Sequence, residues 1–192
     1  MLLSFNNINL VEAGVDEAGR GCLAGSLFAA AVILPKDFSH PLLDDSKKMS
    51  EKNRYILRDV IIKEATAWSV AEVTAQEIDE INILNATFLG MNRAIESLSV
   101  TPQTLLIDGN RFRTELDIPF ECIVKGDGKF ASIAAASVLA KTFRDDYIIK
   151  MAAEYPEYEW QKNKSYGTIA HRNAIAKYGL SPIHRKSFKV KC

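Results

Sequence analysis

At 192 residues, 47% of them hydrophobic, the chain falls in the range of about 50 to 250 residues that one domain occupies and can bury a sizeable core. Its 24 Lys and Arg balance 24 Asp and Glu, which argues against a general nucleic-acid coat held on by bulk positive charge. Cys22, Cys122 and Cys192 form no CxxC spacing, so a disulfide framework or zinc finger is excluded in favour of reduced, structural thiols.

The first residues, MLLSFNNINLVEAG, carry no basic leader and no sustained apolar run. No later stretch approaches the roughly 18 apolar residues of a bilayer span. A cytoplasmic protein without membrane contact is expected. Strands are predicted at Asn9 to Asp16 and Ser26 to Leu34, two short apolar runs joined by the Gly-rich GRG turn. LPKDFSHPLLDDSKKMS reads as loop. Ser50 is placed to cap a helix over Glu51 to Glu64, followed by a strand near Thr66 to Val73 and helices beginning near Ala75 and Asn85. Two further strands, Thr104 to Ile107 and Phe120 to Val124, run into the turn-rich DGNRF and KGDGK segments, and strand ends are good places for functional loops. The Ala-rich run from Lys129 to Glu154 has no Pro and predicts the longest helix. Beyond Pro156 a loop leads to a helix near Thr168 to Lys177. This alternation indicates an α/β sheet with helices packed on it.

Zero net charge conceals an asymmetry, because Trp160 to Cys192 contains eight Lys or Arg and no Asp or Glu. Cations that hold phosphate near carboxylates that hold metal would suit a phosphodiester enzyme; a solvated basic tail fits equally well.

The carboxylates carry more. Asp16 and Glu17 end the first apolar run and precede AGRG, while Asp108 ends another in LLIDGN. Acids at the ends of adjacent strands can converge on one hard cation, and oxygen ligands suit Mg²⁺ or Mn²⁺. Asp108-Gly109 alone is also an ordinary turn. The Asp16-Glu17 pair is harder to explain that way, since two adjacent carboxylates repel. Strand alternation sends them to opposite faces, so a shared metal requires the chain to bend or one residue to use its carbonyl. On the long helix, Asp145 shares its face with Ala134, Val138, Lys141 and Ile149, and a carboxylate there must be paired or metal-bound. An ion pair with Lys141 explains it equally well, while Asp146 and Lys150 read as an exposed pair.

GVDEAGRG, DDSKKMS, EIDEINILNAT, LLIDGN, KGDGKFASIAAASVLAKTFRD and HRKSF, in order from Val11 to Phe188, together resemble the ribonuclease HII family, the type 2 ribonucleases H. The resemblance implies a ribonuclease H-like fold: a mixed five-stranded sheet flanked by helices with a C-terminal helical extension. It further implies one catalytic domain over residues 1–192, with the basic segment 160–192 binding substrate. The activity implied is an endoribonuclease cutting 5′ of a ribonucleotide in RNA–DNA hybrids, or at single ribonucleotides in duplex DNA, and leaving 3′-hydroxyl and 5′-phosphate ends. Its four metal-binding acids fall on Asp16, Glu17, Asp108 and Asp145, holding Mg²⁺ or Mn²⁺, two ions when substrate is bound. Gly19, Arg20 and Gly21 match the family's substrate-reading loop, where backbone groups meet a 2′-hydroxyl and Arg20 grips phosphate. Tyr166 matches a tyrosine that packs on the neighbouring sugar and so selects an RNA-to-DNA junction. Here NKSYGT carries Ser165 where the family more usually has Gly, a position where a side chain resists positive φ. Lys47 and Lys164 are expected phosphate contacts, with Arg185 and Lys186 extending the basic end. A monomer without an obligatory protein partner is expected. The rival readings are a binding protein that has lost hydrolysis and a nucleotide hydrolase, the latter unsupported by any GxxxxGK[ST] loop.

Overall fold

The computed structural model describes residues 2–43 and 49–190. Its sheet is built from β1 (Glu12–Ala18), β2 (Leu27–Ile33), β3 (Ala67–Val73), β4 (Thr104–Asp108) and β5 (Phe120–Ile123), in the order β3-β2-β1-β4-β5. β1, β2 and β3 pair antiparallel, whereas β4 and β5 continue the sheet parallel to β1. The mixed five-stranded sheet expected from the resemblance is therefore present. Among the described residues five α-helices accompany it: α1 (Glu51–Glu64), α2 (Ala75–Glu96), α3 (Ala131–Glu154), α4 (Trp160–Asn163) and α5 (Ile169–Tyr178). None among the described residues is long and apolar enough to cross a membrane.

Local chemistry explains the boundaries. Ser50 caps α1 by accepting the Asn53 amide, and Thr74 with Glu77 forms a capping box at the start of α2. α2 breaks at Asn82, whose φ of 66° is non-helical and whose side chain accepts the Leu84 and Asn85 amides. The two predicted helices are thus two segments of one element, with Asn82 capping the second. β1 begins and ends later than predicted. The Glu12 carboxylate accepts the amides of Asn6 and Asn7, which holds the preceding residues in a turn. Glu17 and Ala18 therefore belong to the strand and not to the loop after it.

Both faces of the sheet are covered. Ala30 and Val32 pack with Leu57, Ile61 and Leu139 on the side of α1 and α3. Val15 and Ile107 pack with Met91 and Ile95 on the side of α2. α3 lies so close to β1 that a Cβ on Gly14 would come within 2.2 Å of the Ser132 carbonyl carbon. Only glycine fits there, and that contact brings Ser137 and Lys141 of α3 to the end of β1 where Asp16 stands.

Candidate active site

Register puts the acids together. β1 and β4 run parallel with Val15 opposite Ile107, so one residue further on Asp16, two residues before the end of β1, and Asp108, the last residue of β4, stand side by side on the same face. That face carries α3, and the Ser137 side chain hydrogen-bonds Asp16. Glu17 alternates to the other face, where it lines a cleft with Arg20, Thr87, Met91 and Asp108. A second cleft of about 430 Å³ is lined by Asp16, Glu17 and Asp108 with the Gly19–Gly21 loop, Arg54, Lys141 and Tyr166. Asp108 and Glu17 border both. Asp16 and Glu17 point to opposite faces of the central strand β1 near its C-terminal end, yet both line the second cleft together with Asp108.

Asp16 is almost wholly buried. Burial, then the adjacent Glu17 and then Asp108, push its carboxyl well above the usual range, against hydrogen bonds from Ser137 and the Glu17 amide. The charges of Glu17 and Asp108 disfavour ionisation of Asp16, and a cation bound among them would relieve that. Among the described residues no three His, Cys, Asp or Glu side chains already stand as a finished metal cage. The donor set nevertheless fits a hard divalent ion that keeps several waters and takes few protein oxygens, as Mg²⁺ does.

Asp145 stands one turn along α3 from Lys141, which lines the second cleft. It is buried on α3, but its carboxylate is paired with Lys141 Nζ at 2.7 Å and Arg144 Nη1 at 3.4 Å, and it does not line the cleft of Asp16. The ion-pair alternative describes what it does in this structure. Asp146 pairs with Arg58 and Tyr55 of α1, not with Lys150. The sequence reading passed over Asp127, a buried acid on the short 3-10 turn Gly126–Gly128 that follows β5. The neighbouring Gly126 amide donates to Asp108 Oδ1 at 2.7 Å. The signal was there: Asp127 follows the end of a strand adjacent to β4, the same cue that singled out Asp108.

The loop Gly19-Arg20-Gly21 forms one wall. Gly19 has φ of 93°, and a Cβ there would press on Arg144 Nε and the Ser26 carbonyl, each at 3.2 Å. Gly21 has open space where a side chain would be, so packing does not demand glycine there. Arg20 is half exposed and within 3.7 Å of Glu17. Tyr166 forms the opposite wall, its ring 43% exposed and 5.8 Å from both Arg144 and Lys141. A β-bridge joins Tyr166 to Cys22, directly after the loop. Ser165 does adopt the left-handed conformation that its side chain should resist, with φ of 61°, after Lys164 at 48°. Its hydroxyl compensates: it donates to the Ala24 carbonyl at 2.7 Å and accepts from Arg144 Nη2.

The basic end is less of a surface than its composition suggested. Arg185 is buried, donating from Nε to the Gly25 carbonyl at 3.0 Å and from Nη1 to the Arg20 carbonyl at 3.1 Å. It is a clamp on the Gly-rich loop, not a phosphate contact. The Lys186 and Ser187 amides bind Asp79. Lys164 lies 3.5 Å from Glu51 and is mostly covered. Lys47 lies outside the described residues.

The family model for ribonuclease HII matches residues 13–191. A ribonuclease HII of Bacteroides thetaiotaomicron is 62% identical over 99% of this chain and 95% of its own length. Among solved structures, the ribonuclease H2 of Pyrococcus horikoshii OT3 is 26% identical with a TM-score of 0.78, covering 93% of this chain and 94% of that one. Bst-RNase HIII, solved in complex with Mn²⁺, shares the fold at 16% identity and a TM-score of 0.74, over 92% of this chain and 66% of that one.

Proposed function

This chain belongs to the ribonuclease HII family, and on that premise we propose that it cuts RNA–DNA hybrids, and duplex DNA containing single ribonucleotides, on the 5′ side of the ribonucleotide. The family consists of hydrolytic, divalent-metal-dependent endoribonucleases, and the chain is an enzyme of that class. The observation that carries the substrate reading is the cleft itself, lined together by Asp16, Glu17 and Asp108, the Gly19–Gly21 loop and Tyr166.

Asp16, Glu17 and Asp108 hold Mg²⁺ or Mn²⁺ in this reading, two ions with substrate in place. Bound there, the ions supply an activated water and stabilise charge on the leaving 3′ oxygen, so the products carry 3′-hydroxyl and 5′-phosphate ends. The fourth acid in this reading is Asp145, whose ion-pair partner Lys141 lines the cleft beside Asp16. The exposed backbone at Gly21 receives the ribose, where amides and carbonyls can recognise a 2′-hydroxyl. Arg20 takes a phosphate. Tyr166 packs on the following sugar and disfavours a hydroxyl there. The exposed cations of segment 160–192 hold the duplex, and the enzyme works as a cytoplasmic monomer with no obligatory protein partner.

The test is a DNA duplex with one ribonucleotide, incubated with Mg²⁺ or Mn²⁺ and mapped at single-nucleotide resolution. Expected is one cut, leaving a 3′-hydroxyl on the upstream DNA. Tight duplex binding with no cut in either metal would replace the enzyme by a binding module.

A further inference from the structure

Behind Tyr166, outside the cleft, lies a buried group of polar aromatic side chains that the chemistry above does not use. His171 and His184 are both buried, with their Nε2 atoms 3.1 Å apart, in a cage that includes Trp160 and Tyr158. Trp160 stacks on Tyr158 with ring centroids 5.0 Å apart.

The protons in this group can be assigned from groups with only one role. Trp160 Nε1–H can only donate, and it donates to His171 Nε2 at 2.9 Å. His171 Nε2 is therefore bare and Nδ1 carries the hydrogen. That Nδ1–H donates to the Tyr166 carbonyl at 3.0 Å. The Ser181 amide likewise can only donate, and it reaches His184 Nδ1 at 2.8 Å. His184 is therefore protonated on Nε2, which faces the bare nitrogen of His171. The result is a one-way relay from the Ser181 amide through His184 and His171 to the Tyr166 carbonyl. A second proton on either ring would set two N–H groups against each other. Burial lowers the pKa of both rings, that of His184 to about 4, which keeps the relay neutral at ordinary pH.

The carbonyl at the end of the relay belongs to a residue whose ring is only partly packed. The two residues before Tyr166 both have positive φ, a conformation that side chains resist. The place of the tyrosine is thus set through its backbone. Its carbonyl also accepts the Thr168 amide at 2.8 Å, so both lone pairs are engaged and the peptide plane is fixed.

We infer that the His184–His171 pair is a positioning device for Tyr166, setting how strongly the enzyme prefers a ribonucleotide followed by a deoxynucleotide over continuous RNA. This rests on the reading of Tyr166 as the sugar-contacting residue. The ring of His171 does not touch substrate and acts only through the Tyr166 peptide.

Two substitutions separate positioning from packing. His171→Phe keeps ring volume but removes the donor, whereas His171→Asn loses volume but keeps an amide N–H where Nδ1 stood. Junction preference, the ratio of kcat/KM on the single-ribonucleotide duplex to that on a continuous hybrid, should fall about tenfold in the Phe variant and stay within about threefold of wild type in the Asn variant. An unchanged preference in the Phe variant, or an equal loss in both, overturns the inference and leaves the histidines a packing role. Should either variant fail to fold, ¹⁵N shifts of the wild-type imidazoles decide: His171 must carry its proton on Nδ1 and His184 on Nε2, and any other tautomer overturns the relay. Tyr166→Ala tests the premise separately. If it leaves the preference intact, the tyrosine reading fails and the inference with it; if it abolishes the preference while His171→Phe does not, only the positioning inference fails.

Discussion

The carboxylate edge and the loop wall that faces it are built by different means. Asp16 and Asp108 are brought side by side by the parallel backbone ladder, with Ser137 and the Gly126 amide bonding their carboxylates. The Gly-rich loop and Tyr166 are placed by side chains that reach backbone carbonyls across the chain. Arg185 holds residues 20 and 25, Ser165 holds Ala24, and His171 holds the Tyr166 peptide. A ladder resists displacement of any one residue because its neighbours share the load. A wall hung on individual hydrogen bonds can be changed one bond at a time. Chemistry should therefore be robust to changes in the tail, and substrate selection sensitive to them.

The largest effect that could break this contrast comes from the ladder side. Asp16→Asn should lower turnover by more than about a hundredfold, the upper range for loss of a residue that merely supports a metal ligand. It should also stabilise the metal-free protein near neutral pH. Asp16 is held above its ordinary value of 3.8 by burial first and by Glu17 and Asp108 next. Its protonated form thus contributes stability that is full below about pH 3.8 and is lost as pH rises through the elevated folded value. Melting in chelator should show wild type weakening over that rise and the Asn variant nearly flat. Parallel curves would mean that the acids do not strain one another.

A smaller effect, of tens of fold, separates the two candidates for the fourth acid. Asp145→Asn should reduce turnover with Mg²⁺ by roughly 10- to 100-fold, and Asp127→Asn by much less, since Lys141, the partner of Asp145, lines the cleft beside Asp16. The reverse order in single-turnover rates would move the fourth ligand to Asp127.

The smallest expected effect sharpens the loop side. Arg185→Lys keeps a charge but cannot reproduce two bonds from a planar fork. KM for the ribonucleotide duplex should rise about tenfold, with kcat changed by less than about threefold, as befits lost binding without lost chemistry. A lower melting temperature with unchanged KM would show that Arg185 supports the fold and not the loop.

Much of this molecule was legible along the chain because the relevant signals are local. Ser50 caps the helix that its position announced, the Ala-rich run forms the longest helix, and Asp16 and Asp108 finish apolar runs that became adjacent strands. Composition misled where partners are remote. The Lys and Arg of the last segment read alike, yet one is a buried clamp on a loop 160 residues away and another is paired with Glu51. Helical periodicity turned Asp145 inward and offered Lys141, one turn back, as its partner; it did not give Arg144, whose guanidinium lies 3.4 Å away.

By itself, then, the sequence determined which residues end strands, which cap helices and which face inward, because those properties arise from neighbours a few residues apart. Only the tertiary structure decided that Asp16, Glu17 and Asp108 line one cleft, that the Gly126 amide bonds Asp108, and that Ser165 tolerates its left-handed backbone. Each of these depends on atoms that the chain brings together only after the sheet has closed its register.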